Sequence, residues 1–277
     1  MSAVLAWLVL LLPLSAQAGV ASNCLQPEPA PAQQQPPAPA PAAPNTLDGA
    51  RQLTDRGNAA LERGDLDTAA SEYRKAFVIR QKRAPGSLSV AESLDALGNI
   101  ALDRGDLAAA KFDLERSLSL RSRLAPGSRD LALSLISLGN LARRRGEIAR
   151  QQSYFEQAQQ VGTALTPIDR ANILDGLGNA CSQRTCAQKP QDYFDQALQL
   201  RQQYQPDSLG LADTLSFRGR NASLQGDLTE AEQDFTRALE LRRQLAPNSL
   251  GVAISLNDLG VVARTRGDLA EIGRAHV

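Results

Sequence analysis

The sequence is short of the residues that carry chemistry. Its 277 residues include one histidine, three cysteines and one methionine. The histidine is His276, one residue from the end, so a histidine-based metal site or a Cys/His nucleophile pair would have to form there. Aromatic residues make up 4% of the chain and the single tryptophan is Trp7, so a folded core must come mainly from Ala and Leu. An excess of one charge is also missing: 30 Lys and Arg stand against 30 Asp and Glu. That balance removes the basic footprint of a general nucleic-acid binder. Nothing in the chain pairs a nucleophile with a base. The sequence therefore reads as non-enzymatic, with no catalytic residue, no cofactor and no metal site.

Proline is unevenly spread, and eight of the fifteen lie between Pro27 and Pro44. Ahead of them Val4 to Leu14 form an apolar run, followed by Ala16-Gln17-Ala18. The run is too short to span a bilayer, and small-x-small is the pattern of a signal-peptide cleavage site. Residues 1–18 read as a secretory signal peptide, although no Lys or Arg precedes the run. An uncleaved anchor or a misplaced start codon is the alternative. Cys24 follows closely and resembles a bacterial lipid-attachment cysteine, but Asn23 replaces the small residue usual before one. Residues 19–45 are rich in Pro, Ala and Gln and read as a disordered linker. A polyproline-like stretch of ~20 residues reaches ~60 Å, enough to hold a folded part away from a surface.

The rest of the chain repeats itself. Compare LDALGNIALDRGDLAAA (94–110), LISLGNLARRRGEIARQ (135–151) and LNDLGVVARTRGDLAEI (256–272). Indexed on the first glycine, the copies fall at Gly57, Gly98, Gly139, Gly178, Gly219 and Gly260, spaced 41, 41, 39, 41 and 41 residues apart. A second glycine follows seven residues later at Gly64, Gly105, Gly146, Gly226 and Gly267. A proline recurs at one constant offset from the first glycine, at Pro85, Pro126, Pro167, Pro206 and Pro247. Each copy predicts two helices. The first is N-capped near Ser87, Ser128, Asp169, Ser208 or Ser249 and ends at the second glycine in a left-handed turn. An acid then caps a second helix of about 18 residues: Asp65, Asp106, Glu147, Asp227 or Asp268. Apolar residues at helical spacing on the second helix, such as Ala69, Tyr73 and Ala76, form one buried face. The first glycine falls mid-helix, where it costs ~0.5–1 kcal/mol relative to Ala, and so predicts close helix–helix approach.

The Leu-Gly-Asn core, the Gly-Asp-Leu turn and the Ala/aromatic/Ala spacing resemble the tetratricopeptide repeat (TPR), in the long form found in kinesin light chains. The period exceeds the usual ~34 residues. The resemblance covers residues 46–270 as five full repeats and a partial sixth. It implies an all-α, right-handed TPR solenoid, because one helix pair cannot hide its apolar face alone. It further implies a concave groove, lined by the first helices, that takes a peptide or protein segment. Carried onto this sequence, the groove residues are Asn58, Asn99, Asn140 and Asn179, with Glu62, Asp103, Arg144 and Gln183 one turn further on. Asparagine offers both donors and an acceptor to a peptide backbone. The same side chains could instead bond neighbouring repeats. Arg143, Arg144 and Arg145 read as a solvated helix face, since adjacent residues point in different directions.

The fourth copy departs most. It is two residues short, has Thr185 where a glycine is expected, and carries both Cys181 and Cys186. In an exported protein these could form a disulfide that staples the missing turn, or remain buried thiols. Residues 271–277, EIGRAHV, leave the repeat pattern and back-translate to adapter-like DNA, so they read as a non-native tail. The Leu-Ala-Pro-Gly-Ser and Arg-Gly-Asp-Leu-Ala segments also resemble the N-terminal parts of bacterial TPR proteins that end in a caspase-like CHAT peptidase domain. The expectation is a protein-binding scaffold in the periplasm or envelope of a bacterium, touching the membrane only through its N-terminus. A sensory part of a CHAT peptidase and a structural envelope lipoprotein are the alternatives.

Overall fold

The computed structural model describes residues 45–267. The expected signal peptide, the linker with Cys24 up to residue 44, the capping acid Asp268 and the tail with His276 lie outside the described residues. Within them the chain is helical, with no strand: α1 (Leu47–Glu62), α2 (Leu66–Arg83), α3 (Leu88–Asp103), α4 (Leu107–Leu124), α5 (Arg129–Arg144), α6 (Ile148–Gln160), α7 (Pro167–Cys181), α8 (Pro190–Tyr204), α9 (Leu209–Gln225), α10 (Leu228–Leu245) and α11 (Leu250–Arg266). A single 3-10 turn, Gly162–Ala164, separates α6 from α7. Each helix packs on the next. From α3 onward the odd-numbered helices also touch the odd-numbered helix of the following repeat. The fold is therefore an all-α TPR solenoid with the first helix of each repeat on its inner side.

The helix ends follow from local chemistry. Carboxylates of Asp65, Asp106 and Asp227 accept the backbone N–H of Thr68, Ala109 and Glu230 at 3.0, 3.0 and 2.9 Å, satisfying donors that the helix itself leaves open. Glu147 caps by position alone and spends its carboxylate on Arg145 and Arg150. The second glycines take φ between 69° and 88°, a region that other residues enter only at a cost. One expected cap moves. Asp169 is not the N-cap of α7; Thr166 is, and Asp169 is its capping-box partner. Pro167 lacks an N–H and suits the first helical position, so α7 begins at the proline instead of two residues after it.

Two second helices fall short of the length expected from the repeat. Helix α6 has 13 residues, against 18 in α2, α4 and α10, and Gly162 just beyond it has φ 70°. Helix α8 has 15 because Pro190 can only open a helix. In place of the Gly-Asp turn, residues 182–189 form a loop.

The mid-helix glycines make room for one large side chain each. A Cβ on Gly57, Gly98, Gly139, Gly178 or Gly219 would lie 2.9, 2.7, 2.7, 2.7 or 2.9 Å from Tyr73, Leu114, Phe155, Phe194 or Phe235 respectively. Each partner lies at the same offset from its glycine, on the second helix of the same repeat, and all five are buried. The predicted close approach is therefore a knob of one helix seated on the bare backbone of its mate. Phe155 also lies against Gly176 of the next repeat.

A buried arginine recurs between repeats at Arg80, Arg121, Arg201 and Arg242, each 3–7% exposed and each at one constant offset from its glycine. At Arg121 and Arg242 it bonds the first helices of two successive repeats; Arg201 reaches the next repeat through Asp175, and Arg80 bonds only the next one, donating to Ser93 at 2.8 Å. Arg121 pairs with Asp95 of its own repeat at 2.6 Å and donates to Ser134 of the next at 3.1 Å. Arg201 pairs with Asp175 at 2.9 Å, which also accepts from Thr214 of the next repeat at 2.8 Å. Arg242 donates to Ser216 at 3.0 Å and Ser255 at 2.6 Å. In the third repeat the corresponding residues are Ile136, Gly162 and Ile173, and both isoleucines are buried in one apolar cluster. The polar node is replaced as a unit, because a lone buried Asp or Arg there would be an unpaired charge.

Candidate functional site

On the inner side, α3, α5, α7 and α9 border a cleft of about 410 Å³. Five of the eight expected groove residues line it: Asn99, Asp103, Asn140, Arg144 and Asn179. Asn58, Glu62 and Gln183 do not, and all three are exposed. The first helices present these side chains in register because each occupies the same place relative to the glycine seated on its knob.

The asparagines divide into two kinds. Asn58 accepts from the Tyr73 hydroxyl, and Asn179 accepts from Gln151 of α6 at 3.2 Å. These two serve the stacking of helices. Asn99 and Asn140 are half-buried in the cleft wall and their side chains make no hydrogen bond among the described residues. Their amide groups are free for a ligand. Arg144 does some inter-repeat work as well, donating to the Leu102 carbonyl at 2.7 Å and standing 3.9 Å from Asp103.

The floor of the cleft holds charges that the repeat pattern did not single out. Asp175 is 5% exposed; burial pushes its carboxyl up to about 6, against the pull of Arg201 and Thr214. Its Oδ1 has no hydrogen-bond partner among the described residues. Arg201 also binds Asn172 at 2.6 Å. Asp213 pairs with Arg242 at 2.6 Å. Burial raises the Asp103 carboxyl too, despite Arg144.

Sequence reasoning puts Arg143 on a solvated face, and the structure places it otherwise. It is half-buried at the cleft wall, with its guanidinium carbon 5.8 Å from the centroid of the Phe217 ring. Phe217 belongs to α9, so Arg143 of the third repeat reaches past α7 to the fifth. Burial and the neighbouring Arg144 and Arg220 hold its pKa below the ordinary arginine value. Of its two neighbours, Arg144 turns to Leu102 and Arg145 to Glu147.

Cys181 and Cys186 are bonded to each other, with Cα atoms 5.5 Å apart. The bond closes the first part of the 182–189 loop, where Ser182 is tied to Asn221 at 3.2 Å, and Asn221 in turn to Gln191 of α8 at 3.0 Å. No group of three or more His, Cys, Asp or Glu among the described residues is placed to hold a metal ion. No described helix is long and apolar enough to cross a membrane.

Comparison with known proteins supports the geometry. The tetratricopeptide repeat models match residues 91–123, 169–244 and 218–272. No curated protein matches the chain. Among solved structures, BtubC (BKLC) from P. vanneervenii is 19% identical with a TM-score of 0.57, over 80% of this chain and 87% of that one. A Podosopora anserina protein assigned provisionally to the kinesin light chains, with nearly identical TPR-like repeats, is 14% identical with a TM-score of 0.55, over 74% and 99%. Pseudomonas aeruginosa pilF is 20% identical with a TM-score of 0.53, over 83% and 90%. At these identities the likeness is one of fold. With the glycine-seated knobs, the left-handed glycine turns and the stacked helix pairs, these matches establish that the chain is a tetratricopeptide-repeat protein.

Proposed function

We propose that the chain is a protein-interaction scaffold whose inner cleft holds an extended segment of another protein. The observation that carries this reading is the pair Asn99 and Asn140. They sit at the same place on successive first helices, half-buried in the cleft, with amide groups committed to nothing else. An asparagine can donate to a backbone carbonyl and accept from a backbone N–H at once, so a row of them binds an extended chain with little regard for its side chains. Asn58 and Asn179, committed to stacking, contribute less. The chain acts by holding a partner and not by transforming one.

We place this scaffold outside the cytoplasm, at the bacterial envelope, with membrane contact only through the N-terminus. The apolar run with its small-x-small site supports export, and a Cys181–Cys186 bond suits an oxidising compartment. Replacing both Asn99 and Asn140 with Ala tests the binding site. Neither side chain holds the fold, so the thermal midpoint should change little, because substitutions away from such features stay within ~0.5 kcal/mol. Capture of the partner by the full chain should be lost. Unchanged capture would move the site elsewhere.

A further inference from the structure

We infer that the cleft selects a segment carrying an acidic side chain, and that Arg143 is the residue that selects it. This rests on the cleft being the binding site. Three carboxylates line the cleft, Asp103, Asp175 and Asp213. Each already has an arginine: Arg144 at 3.9 Å, Arg201 at 2.9 Å and Arg242 at 2.6 Å. Arg143 is the cation left over. It makes no ion pair and no hydrogen bond among the described residues, although it is half-buried and within reach of the field of Asp213. An unpaired, partly desolvated guanidinium is costly to keep unless something completes it.

Its setting is prepared for a visitor. The Phe217 ring lies 5.8 Å from the guanidinium and is itself stacked on Phe194, with centroids 6.4 Å apart. A cation held over a ring keeps its in-plane N–H fork available. That fork matches the two oxygens of a carboxylate. Phe217 has no counterpart in any other copy, and Arg143 has one only in Arg264 of the sixth. At the place of Arg143 the other copies have Leu61, Leu102, Ser182, Ser223 and Arg264; at the place of Phe217 they have Asp55, Ala96, Ser137, Gly176 and Asp258. The recurring residues build the stack, so these departures, brought together from two repeats, are where ligand choice resides. The cleft is bordered by the first helices of four successive repeats, so the ligand passes through it, and the carboxylate comes from a side chain within the segment.

Random twelve-residue peptides displayed on phage, fused through their C-termini, would test this against the immobilised full chain. Such peptides have no free terminal carboxylate, so any acid preference comes from side chains. Selected peptides should contain an Asp or Glu at a fixed place. Changing that residue to its amide, or making Arg143→Gln, should weaken binding by ~10-fold or more, and the two changes together should cost no more than either alone. Arg143→Lys should restore part of the loss, and Phe217→Leu should weaken acidic peptides more than their amide versions. Arg143 makes no hydrogen bond or ion pair in the fold and only lies over the Phe217 ring, so the Gln variant should melt close to the parent. Peptides that lose binding with Asn140→Ala yet ignore Arg143→Gln would overturn the inference while leaving the scaffold reading intact. Binding only by synthetic peptides with a free C-terminal carboxylate and no internal acid would also overturn it. A library from which no peptide depends on Asn99 or Asn140 would sink both.

Discussion

The arginine nodes between repeats make a quantitative prediction. In the second repeat Arg121, 7% exposed, lies 2.6 Å from Asp95, which is 9% exposed. Ser134 of the third repeat donates to both Asp95 oxygens at 3.0 Å. Arg121→Met removes the cation and keeps much of the volume. Asp95 is then a buried carboxylate with serine help only, a situation that costs ~3–5 kcal/mol. Burial already raises the Asp95 carboxyl above its ordinary value, so proton uptake should hold the loss toward the lower end. The triple variant Asp95→Ile, Arg121→Met, Ser134→Ile removes every member of the node. It imitates Ile136, Gly162 and Ile173 of the next node, which is apolar. Exchange of a whole buried ion pair for packed apolar groups is neutral or stabilising by ~1–4 kcal/mol. Urea unfolding followed by circular dichroism reads both. At roughly 2–4 °C per kcal/mol for a chain of this size, the single variant should also melt ~6–20 °C lower, with the triple variant at or above the parent. Because repeat arrays can unravel from one end, the comparison needs the full transition and not the midpoint alone. A single variant as stable as the parent, or a triple variant worse than the single, would refute the reasoning.

Three further predictions follow from other parts of the stack. Gly139→Ala puts a Cβ 2.7 Å from the Phe155 ring; the resulting overpacking should cost ~1–3 kcal/mol in thermal unfolding, and Phe155→Leu in the same chain should recover part of it. Cys181 and Cys186 close a loop with a sequence separation of 5, so their double replacement by Ala should cost ~2 kcal/mol on chain-entropy grounds. The reductant-induced drop in midpoint should vanish in that variant; a drop that persists would locate it elsewhere. Arg129 grips the Asp169 carboxylate at 2.6 and 2.9 Å. Burial works to raise this carboxyl, but the bonds from Arg129 and Thr166 prevail and hold it below the ordinary carboxylate range. Its stabilisation is present above the unfolded carboxylate value of about 3.9 and fades as pH falls through the lower folded value. Asp169→Asn should therefore be less stable at neutral pH and show a flatter acid limb, measured as midpoint against pH.

The repeat architecture was open to reading because it is written in constant offsets. Glycines at Gly57, Gly98, Gly139, Gly178 and Gly219 mark where a knob must sit, and Gly64, Gly105, Gly146 and Gly226 mark turns that only glycine makes cheaply. The arginines Arg80, Arg121, Arg201 and Arg242 keep an equally regular distance from their glycines. Their meaning was hidden, because an arginine late in an exposed-looking helix gives no sign that it is buried against two other helices. The Thr166 cap was hidden for a local reason: Pro167 shifts the helix start in one copy only. The cleft was half visible. Asn99, Asn140 and Asn179 share an offset, but Arg143 and Phe217 come from the third and fifth repeats and break the pattern rather than follow it. Their meeting depends on how far the stack curves over α7, which periodicity does not encode.

Photocrosslinking tests the central claim most directly. The full chain would carry a photoreactive phenylalanine at Asn172, a half-buried position lining the cleft that leaves Asn99 and Asn140 in place, or at Ser119, an exposed position on the second helix α4. The account predicts a crosslinked partner at position 172, suppressed by excess peptide from that partner and absent at position 119. Equal labelling at both positions, or labelling at 119 alone, would contradict a binding groove on the inner face.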